Sequence, residues 1–157
     1  MYYSLCIILY SLLTIHSKQH IMTIRQLSIF IENKSGTLIK VLDLLSKAGI
    51  QIIASTVADT QEYGIFRVIC DNPSKAYLLL KEEGINLQLT DVFALYVDDK
   101  PGAAAETLKI LSNSGIAISY IYTFLLHEKG VLVFRTSDMD KTNEVISLNK
   151  LKSVVTL

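Results

Sequence analysis

The residues best suited to chemistry in this chain are Asn33-Lys34-Ser35-Gly36-Thr37, a polar turn between two apolar patterns. Leu27 to Ile31 before it alternate like a strand, and Leu38 to Ala48 after it recur like a helix. The first N–H groups of a helix have no acceptor within it and carry the positive end of its dipole, so they suit a carboxylate. Gly36 removes a side chain that would block close approach, and the Asn33 amide can donate to a carboxylate or accept from an ammonium. Those are the two needs of a zwitterion. The plainer alternative is a strand-to-helix turn with Ser35 as N-cap and Gly36 for backbone freedom.

Other chemistry finds little to work with. Nucleophilic and acid–base catalysis need a nucleophile, a base and an orienting group together. His16, His20 and His127 are dispersed, no Gly-x-Ser-x-Gly occurs, and Asp98-Asp99 is a tight acidic pair whose members point to opposite faces of a strand end. Cys6 and Cys70 give neither a metal spacing nor a disulfide framework, which fits a reducing cytosol. No metal and no cofactor is expected. Lys+Arg and Asp+Glu both number 15 and are scattered, so the basic footprint of a nucleic-acid protein is missing. The expectation is a cytoplasmic protein that is not an enzyme and has neither nucleic acid nor membrane as a partner.

The turn belongs to a repeat. Gly36, Gly49 and Gly64 recur as Gly102, Gly115 and Gly130 at a constant offset of 66 residues, without a gap. Leu42, Leu45, Ser46, Ile50 and Ile52 recur at the same offset as Leu108, Leu111, Ser112, Ile116 and Ile118. Each glycine in register marks a backbone requirement, so the chain is one module used twice. In copy one the periodicities predict strands at 27–31, 50–58, 64–70 and 85–89. Helices are predicted at 38–48 and from Asn72-Pro73-Ser74 to Glu83, closed by Gly84. In copy two they predict strands at 92–97, 116–125, 131–136 and 151–156, with helices at 101–113 and 138–147. The order is βαββαβ twice, an α+β fold with antiparallel sheets and helices on one face. No flexible linker separates the copies, and two helices cover only one face of each sheet. The other face should therefore pack against the sister copy or a second chain.

Residues 1–21 form a leader that the repeat does not need. Tyr2 to Ile15 is apolar but shorter than the roughly 20 residues that span a bilayer. It also lacks the positive n-region and small-residue cleavage site of a signal peptide. The expectation is an over-extended start with translation from Met22, a first domain over 22–90 and a second over 91–157.

From about Ile24 onward the pattern resembles the ACT domain, a ferredoxin-like βαββαβ module that binds amino acids and regulates metabolism. The likeness is to small stand-alone proteins made of two such domains in tandem. It is carried by Ile31-Glu32-Asn33-Lys34-Ser35-Gly36-Thr37-Leu38 and Ala48-Gly49-Ile50-Gln51-Ile52. In copy two it is carried by Val97-Asp98-Asp99-Lys100-Pro101-Gly102-Ala103 and Ser114-Gly115-Ile116-Ala117-Ile118. The resemblance implies a non-catalytic sensor of an amino acid or related small carboxylate, working as a homodimer and regulating a metabolic enzyme. It also implies a ligand held between two such domains by the first turn of one and the start of strand two, often where sheets join side by side. On that basis the candidate site residues are Asn33, Lys34, Ser35, Gly36, Thr37, Gln51 and Ile52. The weaker candidates are Asp99, Pro101, Gly102 and Ala103. Ser35 departs from the family's usual proline, and Asp99 and Ala117 replace Asn33 and Gln51 in copy two. Asp99 would repel a carboxylate, so copy one is the favoured site. Two alternatives stay open: an interaction subunit without a ligand, and an RNA-binding module of the same fold suggested by Tyr63-Gly64-Ile65-Phe66-Arg67-Val68.

Overall fold

The fold follows from the two periodicities, apolar residues every second position in strands and every third or fourth in helices. A computed structural model describes residues 22–59 and 63–156. The leader with Cys6, His16 and His20, and the hairpin residues 60–62, lie outside the described residues. Copy one contains β1 (Ile24–Glu32), α1 (Thr37–Lys47), β2 (Ile52–Asp59), β3 (Tyr63–Cys70) and α2 (Pro73–Glu82). Then β4 (Leu87–Val97) leads into α3 (Ala103–Asn113), β5 (Ile118–Leu126), β6 (Lys129–Thr136) and α4 (Met139–Leu148). This is the expected βαββαβ order, used twice, with every strand pairing antiparallel. The strand order is β2-β3-β1-β4-β6-β5.

The absence of a linker has a direct structural counterpart. β4 serves both copies: Leu87–Val92 pairs with β1 and Phe93–Val97 pairs with β6. The boundary expected between residues 90 and 91 falls inside this strand. The last strand, expected over 151–156, shrinks to a bridge between Ser153 and Leu95, flanked by Tyr96 N–H to Lys152 O and Val154 N–H to Ala94 O, both 2.8 Å. Its start is taken up by the helix end, where the Leu151 N–H still closes α4 on Ile146 O at 3.0 Å.

Three apolar clusters hold the chain together. Leu27, Ile29 and Ile31 of β1 and Phe66 and Val68 of β3 meet Val41, Leu45 and Leu80 from α1 and α2. Copy two repeats this with Phe93, Leu95, Leu132 and Phe134 against Leu111, Val145 and Ile146. The Phe93 and Phe134 rings stack with centroids 5.6 Å apart. The third cluster joins Ile24, Ala54 and Ile69 of copy one to Val131, Val133 and Val154 of copy two, with Tyr120, Tyr122 and Phe124 packed on it. The helix-free faces therefore close on each other, and the sister copy is the cover that the sequence required. This seam has a polar centre. Gln26, wholly buried, donates to Tyr120 OH (2.8 Å) and Ser28 Oγ (3.1 Å) and accepts from Tyr122 OH (2.8 Å). Burial pushes the Tyr122 hydroxyl well above its usual range, keeping it a neutral donor. The Arg67 guanidinium lies 4.0 Å over the Tyr120 ring.

The helix ends explain where the expected boundaries move. After α1, Gly49 N–H bonds Ser46 O (2.9 Å) and Ile50 N–H bonds Leu45 O (3.0 Å), with Gly49 at φ 67. Ile50 is thus still part of the helix closure, so β2 starts at Ile52 instead of residue 50. Gly115 and Gly84 close α3 and α2 in the same way. At α4 the same left-handed position is held by Lys150, φ 52, which stands where the offset of 66 places the equivalent of Gly84. Lys150→Gly is expected to stabilise the chain by about 1 kcal/mol, since a left-handed residue with a Cβ costs roughly that much. An unchanged urea midpoint would show that Lys150 is unstrained.

Candidate functional site

The two turns are built alike. In copy one, Lys34 N–H donates to Glu32 O at 2.7 Å, and Thr37 donates through N–H (3.3 Å) and Oγ1 (3.0 Å) to Lys34 O. In copy two, Lys100 N–H donates to Asp98 O at 2.9 Å and Ala103 N–H to Lys100 O at 3.3 Å. Each lysine also pairs with the carboxylate two residues before it, Lys34–Glu32 at 2.6 Å and Lys100–Asp98 at 3.0 Å. The hydrogen bond to that carboxylate raises the ammonium pKa in both. These pairs are solvent-exposed and add little stability.

The helix starts differ from the sequence expectation. Ser35 does not cap α1: the N-cap is Gly36 at φ 90, with no side-chain cap, and Gly102 does the same for α3 at φ 90. Pro101 consequently lies in the turn, and α3 begins at Ala103 instead of residue 101. The uncapped starts leave the N–H groups of Leu38 and Ile39, and of Ala104 and Ala105, without an acceptor inside their helices. A Cβ built at Gly36 or Gly102 would meet no heavy atom within 4 Å, so both turns face open space. At the copy-two turn a hollow of about 400 Å³ is bounded by Asp98, Asp99, Lys100, Thr123 and Leu125.

Asn33 sits beside the third repeated glycine. A Cβ on Gly64 would stand 3.3 Å from Asn33 Oδ1 and 3.1 Å from Ile31 Cγ1, both side-chain atoms. On Gly130 it would stand 2.9 Å from Val97 Cγ2 and 3.0 Å from Val97 O, a backbone atom that cannot swing away. Gly130→Ala is expected to cost about 1–3 kcal/mol and Gly64→Ala clearly less, as overpacking is tolerated only where the neighbour can yield. Equal losses in chemical denaturation would contradict this.

Asn33 and Gln51 are not brought together within the chain. Glu32 pairs with Tyr63 at one end of β3, whereas Gln51 O accepts from Asp71 N–H beyond the other end. The eight-residue separation corresponds to about 26 Å of extended chain. Gln51 and Ile52 instead edge a separate hollow of about 390 Å³ with Ser46 and Gly49, and Gln51 Nε2 donates to Ile52 O at 3.1 Å.

For the other chemistries, the described residues contain no group of three or more His, Cys, Asp or Glu arranged for a metal. His127 occupies a tight turn between β5 and β6 at φ 48. Cys70 is buried and free, and burial pushes its thiol up. Phe66, the aromatic of the RNA-like strand, is 3% exposed and faces the helices, while Arg67 beside it is covered by Tyr120. The face that would stack bases is thus occupied by the other copy. Among the described residues no helix is long and apolar enough to cross a membrane.

Sequence reasoning missed two links between elements of the fold. Lys75 Nζ donates to Ala48 O at 2.7 Å, tying the start of α2 to the end of α1. Gln26, Tyr120 and Tyr122 tie copy to copy. The recurrence of Lys75 as Lys141 was visible in the sequence; the Gln26 link was not, because a single glutamine in a strand normally reads as solvent-facing.

A family model described as an ACT domain pair matches residues 22–156. A solved protein of Bacteroides thetaiotaomicron is 39% identical at TM-score 0.80, with 85% of this chain and 92% of that chain covered. The regulatory subunit of aspartate kinase from Thermus thermophilus shares the fold at TM-score 0.56 and 15% identity, covering 83% of this chain and 94% of its own. Aspartokinase III of E. coli, solved with aspartate and ADP, matches at TM-score 0.52 and 13% identity, over 79% of this chain and 30% of the enzyme. No protein with a curated description matches. The span of the family match, together with the paired turns and the doubled βαββαβ order, means that the chain belongs to the family of ACT domain pairs.

Proposed function

We propose that the chain is a non-catalytic cytosolic sensor that binds an amino acid or a related small carboxylate and regulates an enzyme of amino-acid metabolism. The observation that carries this is the uncapped start of α1. Gly36 starts α1 without a side-chain cap, so the N–H groups of Leu38 and Ile39 have no acceptor inside the helix, and a Cβ at Gly36 would meet no heavy atom within 4 Å, which suits a carboxylate within a family of regulatory modules. Asn33 then donates its side-chain amide to the ligand carboxylate, and Lys34, paired with Glu32, stands at the rim.

The separation of Asn33 from Gln51 supports a homodimer. Among the described residues β2 is a sheet edge with its backbone unpaired on one side and Val57 exposed. Antiparallel pairing of two such edges would lay the start of one β2 along the end of the other. That brings Gln51 of the partner subunit toward the Asn33 turn, so two chains would complete what one cannot. Copy two, with Asp99 at the matching position, is the weaker site because a carboxylate ligand meets a like charge there.

The full chain should be melted in the presence of each of the twenty amino acids. A ligand at about 100 times its dissociation constant stabilises by about 2.7 kcal/mol, which raises Tm by roughly 5–10 °C in a chain of this size. One chemical class is expected to produce that shift. Silence from all twenty would favour an interaction subunit without a ligand.

A further inference from the structure

A groove of about 860 Å³ opens where the two copies part company along β4. β4 is paired on one side by β1 only over its first half, and on the other side by β6 only over its second half. Backbone groups alternate along a strand, and the bond from Phe30 N–H to Asn86 O places the even-numbered residues of β4 toward β1. The C-terminal bonds at Ala94 and Tyr96 continue that alternation, so the odd-numbered residues face β6. From Phe93 onward they have it as partner. Before that, β6 turns away at Arg135 to follow β5, and Leu87, Leu89 and Asp91 meet no strand among the described residues. Among the described residues, six backbone hydrogen-bonding groups are thus left on a strand edge that is sunk between helices instead of standing at the rim of the sheet.

The walls of this cleft suit an extended chain. Tyr77 of α2 and Met139 of α4 flank it from opposite copies. Leu87, 9% exposed, and the half-buried Leu89 give it an apolar floor. The unpaired stretch of five residues is about 17 Å long, the length of an ordinary short strand. Its charged lining residues among those described are Asp91 and Arg135, and neither makes an ion pair. Asp91 sits directly across the strand pair from Arg25 and so has a cation near it already. The Arg135 guanidinium has no carboxylate partner among the described residues, and Arg135 lines the groove.

We propose that this groove takes a five-residue extended segment of a partner protein as an added strand on β4, with a carboxylate of that segment on Arg135. The added strand satisfies the backbone groups of Leu87, Leu89 and Asp91, and its alternate apolar side chains rest on Leu89, Tyr77 and Met139. The site is independent of the Asn33 turn, and it would give a sensor without catalytic groups a way to hold the enzyme it regulates.

The test is to pan a phage library of random heptapeptides against the full-length chain and against Arg135→Glu, which alters an exposed side chain outside the cores. The expected result is an enriched set of alternating apolar peptides carrying an acidic residue on the native chain, with the acidic preference lost or reversed to basic on the variant. A selected peptide should slow amide exchange at Leu89 and Asp91 at least tenfold. It should leave any amino-acid-induced shift in Tm intact, which separates this site from the ligand turn. Recovery of the same peptides from both chains, enrichment on neither, or binding that leaves those two amides unchanged would overturn the proposal.

Discussion

Gln26→Leu is expected to lower the stability of the chain by about 2–4 kcal/mol, although leucine nearly conserves the volume. The reason lies in what the glutamine leaves behind. Its amide joins Tyr120, Tyr122 and Ser28 at the centre of the seam between copies, with Gln26 itself wholly buried. Leucine cannot serve either hydroxyl, and each buried polar group left unsatisfied costs about 1–3 kcal/mol. Ile24, Ile69, Val131 and Val133 belong to the buried cluster against which the half-buried Tyr120 and Tyr122 pack. Removing the orphaned hydroxyls should recover much of the loss, since replacing all partners by apolar groups of similar shape is close to neutral. The triple variant Gln26→Leu, Tyr120→Phe, Tyr122→Phe should therefore be more stable than the single variant in urea titrations. A single variant as stable as the native chain would mean that the seam does not depend on this network.

Asn33→Asp should weaken the preferred amino acid by about 10- to 100-fold, while Asp99→Asn should leave copy-one binding unchanged. The first change writes the copy-two residue into copy one, replacing a donor with a like charge beside the ligand carboxylate. Lost charge-assisted hydrogen bonding of about 1.5–3 kcal/mol converts to that range of affinity. Both positions are exposed and remote from the cores, so calorimetric titration can compare the two variants at equal stability. If both variants bind like the native chain, the ligand sits elsewhere.

The repeat was legible because its glycines answer to geometry. Gly36 and Gly102 sit at φ 90, Gly49 and Gly115 at φ 67 and φ 70, and Gly64 and Gly130 lie where a Cβ would press on the end of the strand before the turn. The continuous passage from copy one to copy two was equally readable from Thr90-Asp91, which leaves no room for a linker and became the middle of β4. The cap was misread because Ser35 has the favoured side chain, whereas the left-handed backbone of Gly36 moves the helix start one residue on. Gln26 stayed hidden because its partners are nearly a hundred residues away, and strand periodicity says which face a residue takes but not what covers that face. The distance between Asn33 and Gln51 is likewise a property of the whole sheet, set by the register of β3, and no local spacing reports it.

The most direct measurement of the central claim is an NMR titration of the full chain with the amino acid giving the largest thermal shift, followed at the backbone amides. Leu38 and Ile39 are expected to move and saturate together at the ligand's affinity, while Ala104 and Ala105 respond weakly or at higher concentration. Saturable binding that leaves Leu38 and Ile39 unmoved would contradict the assignment of the ligand to the Asn33 turn.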